Sequence, residues 1–274
     1  MSGKLQILFR IEVLKTRSRV AFWVILLLAV ALNTIFTVIS VRTAQFPGRT
    51  FALPDSWPQI LGFHEGGGIF LVPVLMILLC APEYTWRTGR QMVINGLSRD
   101  QAYGGKVLLL GVLTGLFLLI PILIGGIGAL VSGDDSGPQF VRLADLAYCA
   151  GLTAALLQGG GMGLMIATLV RSAGPALGIL FLYMILEEII AVLLRLSDTV
   201  LRHLAEYLPM HVSEELRDDL AWYPDLLESV NADLISEGAA PYAFRPVEEL
   251  VLIALIYAVV FVGVGWLSQR HRDL

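Results

Sequence analysis

Two neighbouring carboxylates, Glu187 and Glu188, stand in an otherwise apolar run over 174–196. An ionised acid at the centre of a membrane helix costs about 2.5–3.5 kcal/mol, so at least one must face protein or a watery cavity. Adjacent helical positions point about 100° apart, which keeps the two from sharing one partner. Either the pair is a polar point on a translocation path or subunit seam, or one glutamate is hydrogen-bonded inside the bundle while its neighbour lies nearer the outer interface. A hydrolytic role is not supported: the EExxxR arrangement is missing, Arg195 lies too far along, and no histidine falls within the apolar runs. Gly105-Lys106 is followed by Val107 and lacks the earlier glycine of a phosphate loop, so the chain carries no ATPase site of that type. His64-Glu65 lacks the second histidine of a HExxH zinc site, and His64, His203, His211 and His271 are scattered singly, which suits ordinary polar roles.

The segment from Glu83 to Lys106 has more internal order than a basic loop requires. Its first part, Glu83 to about Ile94, mixes aromatic, basic and apolar residues and reads as a short helix, which Asn95-Gly96 stops. Ser98-Arg99-Asp100-Gln101 then forms an S-x-x-Q capping box at the start of the next helix. Positive charge alone accounts for Arg87, Arg90 and Arg99, but not for a helix, a turn and a cap in succession.

The elements that must hold these residues are membrane helices. With 56% hydrophobic residues and a mean hydropathy of +0.74, the chain has more apolar surface than a soluble domain of 274 residues buries. Six stretches, about 20–41, 66–82, 107–131, 144–170, 174–196 and 247–268, are each suited to crossing a ~30 Å hydrocarbon layer. The expected fold is therefore all-α, a single transmembrane domain over 1–274 with six spans, and six spans leave both ends on one side. That side collects Lys4, Arg10, Lys15, Arg17 and Arg19, then Arg87, Arg90, Arg99 and Lys106, then Arg171, and finally Arg270 and Arg272. The excess of basic residues there makes both termini cytoplasmic. The net charge of −4 averages a basic inner face with an acidic exterior and implies no nucleic-acid partner. Cys80 and Cys149 fall near opposite ends of their spans, too far apart to bridge. The connection from Arg42 to Glu65, with Pro47, Pro54 and Pro58, reads as irregular. Gly111/Gly115, Gly159/Gly163 and Gly174/Gly178 have the GxxxG spacing that permits close helix approach.

The run from Glu83 to Lys106 resembles the loop between helices two and three of ABC-2 type transporter permeases. Glu83, Tyr84, Thr88, Arg90, Gln91, Ile94, Gly96, Ser98, Arg99 and Lys106 match that pattern as they stand, whereas Ala81 and Pro82 replace a stretch in which asparagine is commoner before the glutamate. The six-span layout, the basic N-terminal segment, and a glutamate in span five followed by Tyr207-Leu208-Pro209 extend the similarity along nearly the whole chain. This resemblance implies an exporter permease of the bacterial cytoplasmic membrane, paired with a second copy or paralogue and powered by two separate ATPase subunits. ATP and Mg would be bound by those subunits, and this chain would be non-catalytic, with no cofactor of its own. Glu83, Tyr84, Trp86, Arg87, Arg90, Gln91, Met92, Ser98 and Arg99 would form the ATPase-coupling loop, with Trp86, Arg87, Arg90 and Met92 in the contact itself. Residues 1–19 would form an interfacial helix on the inner leaflet, packing on both protein and lipid.

From 197 to 246 the chain turns acidic, with ten acids between Asp198 and Glu237 against Arg202 and Arg217. Val200, Leu201, Leu204 and Leu208, and more loosely Leu216, Leu220, Leu227 and Leu234, follow helical spacing, so two or more amphipathic outer helices are expected. They could cap an exit, bind a cationic substrate or dock an extracytoplasmic partner; a solvated acidic lid is the plainer reading. Two other functions fit the composition: a stand-alone secondary transporter using Glu187 or Glu188 as a proton or cation site, and a membrane scaffold or assembly factor.

Overall fold

The computed structural model describes residues 2–44, 51–86, 96–132, 140–142, 145–196, 201–222, 232, 234–236 and 245–271. Within them the main elements are helices: α1 (Ser2–Arg17), α2 (Val20–Thr43), α3 (Trp57–Thr85), α4 (Arg99–Val131), α5 (Asp145–Val170), α6 (Ala173–Arg195), α7 (Leu201–Ala205), α8 (Pro209–Trp222) and α9 (Val247–His271). Among the described residues, five helices, α2, α4, α5, α6 and α9, are long and apolar enough to cross a membrane. The remaining expected span, 66–82, lies within α3, of which Phe70–Thr85 is a shorter apolar stretch among the described residues. The chain is thus a multi-pass helical membrane protein.

α5 is the central helix, packed chiefly against α3 on one side and α9 on the other. Its run Gly159-Gly160-Gly161 with Gly163 makes this possible: a Cβ at 163 would lie 2.5 Å from the Pro73 carbonyl oxygen, and one at 161 would lie 3.3 Å from that of Ala258. Small residues let the backbones come together where lipid supplies no hydrophobic driving force between helices. The other two glycine pairs behave differently from the expectation drawn from their spacing. A Cβ at Gly111, Gly115, Gly174 or Gly178 would meet nothing within 4 Å, so those faces of α4 and α6 are not pressed against the rest of the chain.

The segment 42–65 is not wholly irregular, because α3 begins at Trp57. Pro58 sits in its first turn, where a missing N–H leaves no helical hydrogen bond unmade and the fixed φ suits the helix. At its other end α3 runs through Pro82 to Thr85, so Glu83 lies in the last turn of this helix and does not begin a new one. Proline at 82 removes the N–H that would have bonded the Leu78 carbonyl. Arg19 supplies the donor instead, its Nη1 reaching the carbonyls of Leu78 at 3.2 Å and Leu79 at 2.8 Å. A sharp α5–α6 connection through Arg171 and Ser172 places Arg171 at φ 59°, and the Thr85 hydroxyl donates to its carbonyl at 3.1 Å.

The segment 1–19, expected as an interfacial helix, holds α1. Leu8, Glu12 and Thr16 are buried on one side of it, while Phe9 and Leu14 remain exposed. At the opposite end of the bundle α8 packs against α3, α5 and α9 through Val212, Ser213 and Leu216, all buried. Leu204, expected on the packed stripe, is exposed instead, because five-residue α7 rests on the bundle through Ala205.

Candidate functional site

The end of the bundle that carries the motif is built around Glu83. The carboxylate is buried, and its Oε2 lies 2.5 Å from Nζ of Lys106, which is itself buried in the first turns of α4. Its Oε1 faces two further cations, Lys15 Nζ at 3.4 Å and Arg19 Nη2 at 3.8 Å. Lys15 also holds Glu12 at 3.1 Å, and Glu12 in turn lies against Gly105, where a Cβ would sit 3.3 Å from its Cγ. The cluster therefore ties α1, the α1–α2 corner, the end of α3 and the start of α4 into one ionic knot. Charges withdrawn from water in this way stand only because they are mutually compensated; a buried pair adds little net stability, but losing one partner is severe.

The neighbouring residue carries the linkage across to α5 and α9. Tyr84 donates its hydroxyl to Gln269 Oε1 at 2.6 Å, and its ring lies 5.4 Å from Lys106 Nζ and 5.4 Å from the Arg171 guanidinium. Cations over an aromatic face are attracted by its quadrupole, more strongly where water is excluded. Trp86, the C-cap of α3, is 66% exposed, with the Arg19 guanidinium 5.5 Å from its ring centroid. Gly96 has a φ of 92°, the left-handed conformation that glycine adopts without a Cβ penalty. Ser98 then caps α4 as its sequence requires: its hydroxyl accepts from the Gln101 N–H at 3.1 Å and the Gln101 side chain accepts from the Ser98 N–H at 3.0 Å. Arg99 donates to the Arg270 carbonyl at 3.3 Å.

Of the coupling residues read from the motif, Glu83, Tyr84, Trp86, Ser98 and Arg99 thus gather at one end of the bundle. Arg87, Arg90, Gln91 and Met92 lie outside the described residues. Sequence reasoning matched Lys106 to the motif and placed Lys15 and Arg19 on the same side, but did not pair them with Glu83, and it did not single out Gln269. A lysine at the mouth of an apolar run is the one signal that pointed there, since a charge in that position needs a counter-ion.

The glutamate pair is divided by its helix. Glu187 is buried and reaches the start of α8, where its Oε1 accepts from the backbone N–H groups of Met210 at 2.6 Å and His211 at 3.2 Å. It thereby caps the N-terminus of α8 from another helix, satisfying donors that a helix start leaves unpaired. Gln158 donates to the Pro209 carbonyl at the same place. Glu188 instead lies exposed on α6 among Ile185, Ile189 and Leu193. α8 is further pinned by Arg245, which donates to Glu215 and, at 2.7 Å, to the Glu206 carbonyl. The hydrogen bonds to Glu215 raise the Arg245 guanidinium above its ordinary pKa against the opposing effect of burial.

Glu187→Ala should loosen α8 from the bundle, because two backbone donors lose their acceptor. Loss of a cap costs about 0.5–2 kcal/mol. Hydrogen exchange at Met210 and His211 should accelerate by roughly ten-fold, while exchange in α5 stays slow; equal rates in the variant and the parent would show that Glu187 does not hold α8.

Fold and site together describe a polytopic helical protein in which, among the described residues, the charged and polar side chains of the motif link helices to one another. The family profile described as ABC-2 family transporter protein matches residues 8–187. The chain belongs to this family, and is a transmembrane ABC transporter permease. No curated protein sequence matches the chain.

Proposed function

We infer that this chain is one of two permease subunits of an ATP-driven exporter, with six crossings, both termini cytoplasmic, and hydrolysis carried out by two separate ATPase subunits. The observation that supports this most is the Glu83 knot: residues of the family's loop motif join α1, α3 and α4 at one end, and exposed Trp86 stands directly beside it. A push on the segment that follows Trp86 would reach α3, then α4 through Lys106, and α9 through Tyr84 and Gln269. Rigid buried ionic and hydrogen-bonded links transmit displacement where loose apolar contacts would slip.

The seam with the second permease is assigned to α6. That helix turns Leu182, Ile185, Ile189 and Leu193 outward, with Glu188 among them and open space over Gly174 and Gly178. A carboxylate on such a face is expensive in lipid and inexpensive against a partner or a watery path. Glu187, engaged as a cap, has a holding role, which weakens the secondary-transporter reading in which it would bind a proton or cation. Membership of the bacterial inner membrane, and a lid role for 197–246 over the outer mouth, complete the proposal.

Purification of the tagged chain in mild detergent, with mass measurement of the intact complex, tests it. The expected result is two permease chains with two ATPase chains and ATP hydrolysis in the purified complex. Recovery of the chain alone, with transport driven by an ion gradient in ATP-free vesicles, would overturn it.

A further inference from the structure

A groove of about 1210 Å³ opens between α4 and α9, with Leu157 of α5 at its floor. Its walls are apolar, formed by Val107 and Leu108 on one side and Leu255, Val259 and Val262 on the other. Three glycines deepen it: a Cβ at Gly104, Gly111 or Gly263 would meet nothing within 4 Å. From Leu255 to Trp266 the groove follows roughly 16 Å of helix axis. That is about half of a ~30 Å hydrocarbon core, the depth of one leaflet.

Only one end is polar, and it is the end that carries the Glu83 knot. There the Trp266 indole N–H donates to Asp100 Oδ1 at 2.8 Å, the Arg270 guanidinium lies 4.9 Å from the Trp266 ring, and Arg99 donates to the Arg270 carbonyl at 3.3 Å. Tryptophan is suited to headgroup level, with its ring in the apolar layer and its N–H toward water. Guanidinium groups pair with phosphate in a planar, two-pronged fashion. The Asp100 carboxylate is engaged by the indole, and the two arginines outnumber it.

We propose that this groove holds one acyl chain of an anionic phospholipid from the leaflet at the basic end, with the phosphate against Arg99 and Arg270. Water does not fill a groove whose walls offer no polar partners, and an empty one forfeits the dispersion contacts of its lining. A second copy of the chain, lying parallel in the same membrane, would bring its own basic end against these arginines, and like charges oppose that fit. The inference rests on the membrane location and is independent of whether the protein exports.

The test is native mass spectrometry of the full chain in mild detergent with added dioleoylphosphatidylglycerol or dioleoylphosphatidylcholine. The parent should retain one phosphatidylglycerol per chain with at least a ten-fold preference over phosphatidylcholine. Arg99→Gln with Arg270→Gln should bring that preference close to one, whereas Arg99→Lys with Arg270→Lys should keep most of it. Gly111→Leu with Gly263→Leu should fill the furrow and lower retention of both lipids by at least ten-fold, with a single monodisperse peak showing that the fold survives. If that variant does not fold, the arginine pair carries the test alone. Equal retention of the two lipids by the parent, undiminished retention in the furrow-filled variant, or disulfide cross-linking between two copies through Gly111→Cys would each overturn the proposal.

Discussion

Glu83→Gln should lower the thermal stability of the purified permease more than any other single change at the basic end. Neutralising this carboxylate leaves Lys106 buried with no counter-ion 2.5 Å away, and breaking a buried pair on one side typically costs about 3–5 kcal/mol. Lys15 and Arg19 would also lose their common acceptor. The effect should be asymmetric, because Lys106→Met leaves Glu83 with two other cations and so costs less. Removing both charges as Glu83→Met with Lys106→Met should be milder than Glu83→Gln alone, since replacing a whole buried pair by apolar groups is often close to neutral. Melting followed by tryptophan fluorescence in detergent measures all three. If Glu83→Gln melts with Lys15→Gln, whose side chain is partly exposed, the knot does not hold the helices as described. In the assembled complex Glu83→Gln should also weaken substrate stimulation of ATP hydrolysis while the basal rate of the ATPase is kept.

Trp86→Ala combined with Arg90→Ala should abolish most of that stimulation by a different route, without removing the permease from the membrane. Trp86 is 66% exposed, so its loss costs the fold little. An exposed tryptophan beside basic residues is well suited to anchor an interface, and truncating such an anchor commonly costs 2 kcal/mol or more, roughly a thirty-fold loss of affinity. Its contact with Arg19 gives the single substitution a smaller second effect, a looser α1–α2 corner. The readouts are the amount of ATPase co-purifying with the variant and its substrate-stimulated rate. Unchanged assembly together with an unchanged stimulated rate would place the ATPase contact elsewhere.

Sequence alone determined the material of this protein and its family. Long apolar runs with basic residues on alternate connections define membrane helices, because in hydrocarbon every backbone group must be satisfied within its own segment. Ser98 and Gln101 announce the start of α4, since a capping box is a contact over three residues and needs no tertiary partner. The loop motif led to the family that the match over 8–187 bears out. Where local patterning misled, a distant partner had overruled it. The second apolar span was expected to end near 82 with a new helix from Glu83, yet α3 continues through Pro82, where Arg19, 59 residues away in sequence from Leu78, fills the hydrogen bond the proline removed. Glu83 therefore closes one helix where it was expected to open another. The three GxxxG spacings are equivalent in sequence, and only the fold distinguishes Gly163, pressed on Pro73, from Gly111 and Gly178, which face open space. The same holds for Glu187 and Glu188: one helical step of about 100° sends the first to cap α8 and the second to an apolar exterior. Helix identity is written in short-range periodicity, whereas the pairing of Glu83 with Lys106, and of Glu187 with Met210, depends on which faces meet when helices far apart in the chain pack together.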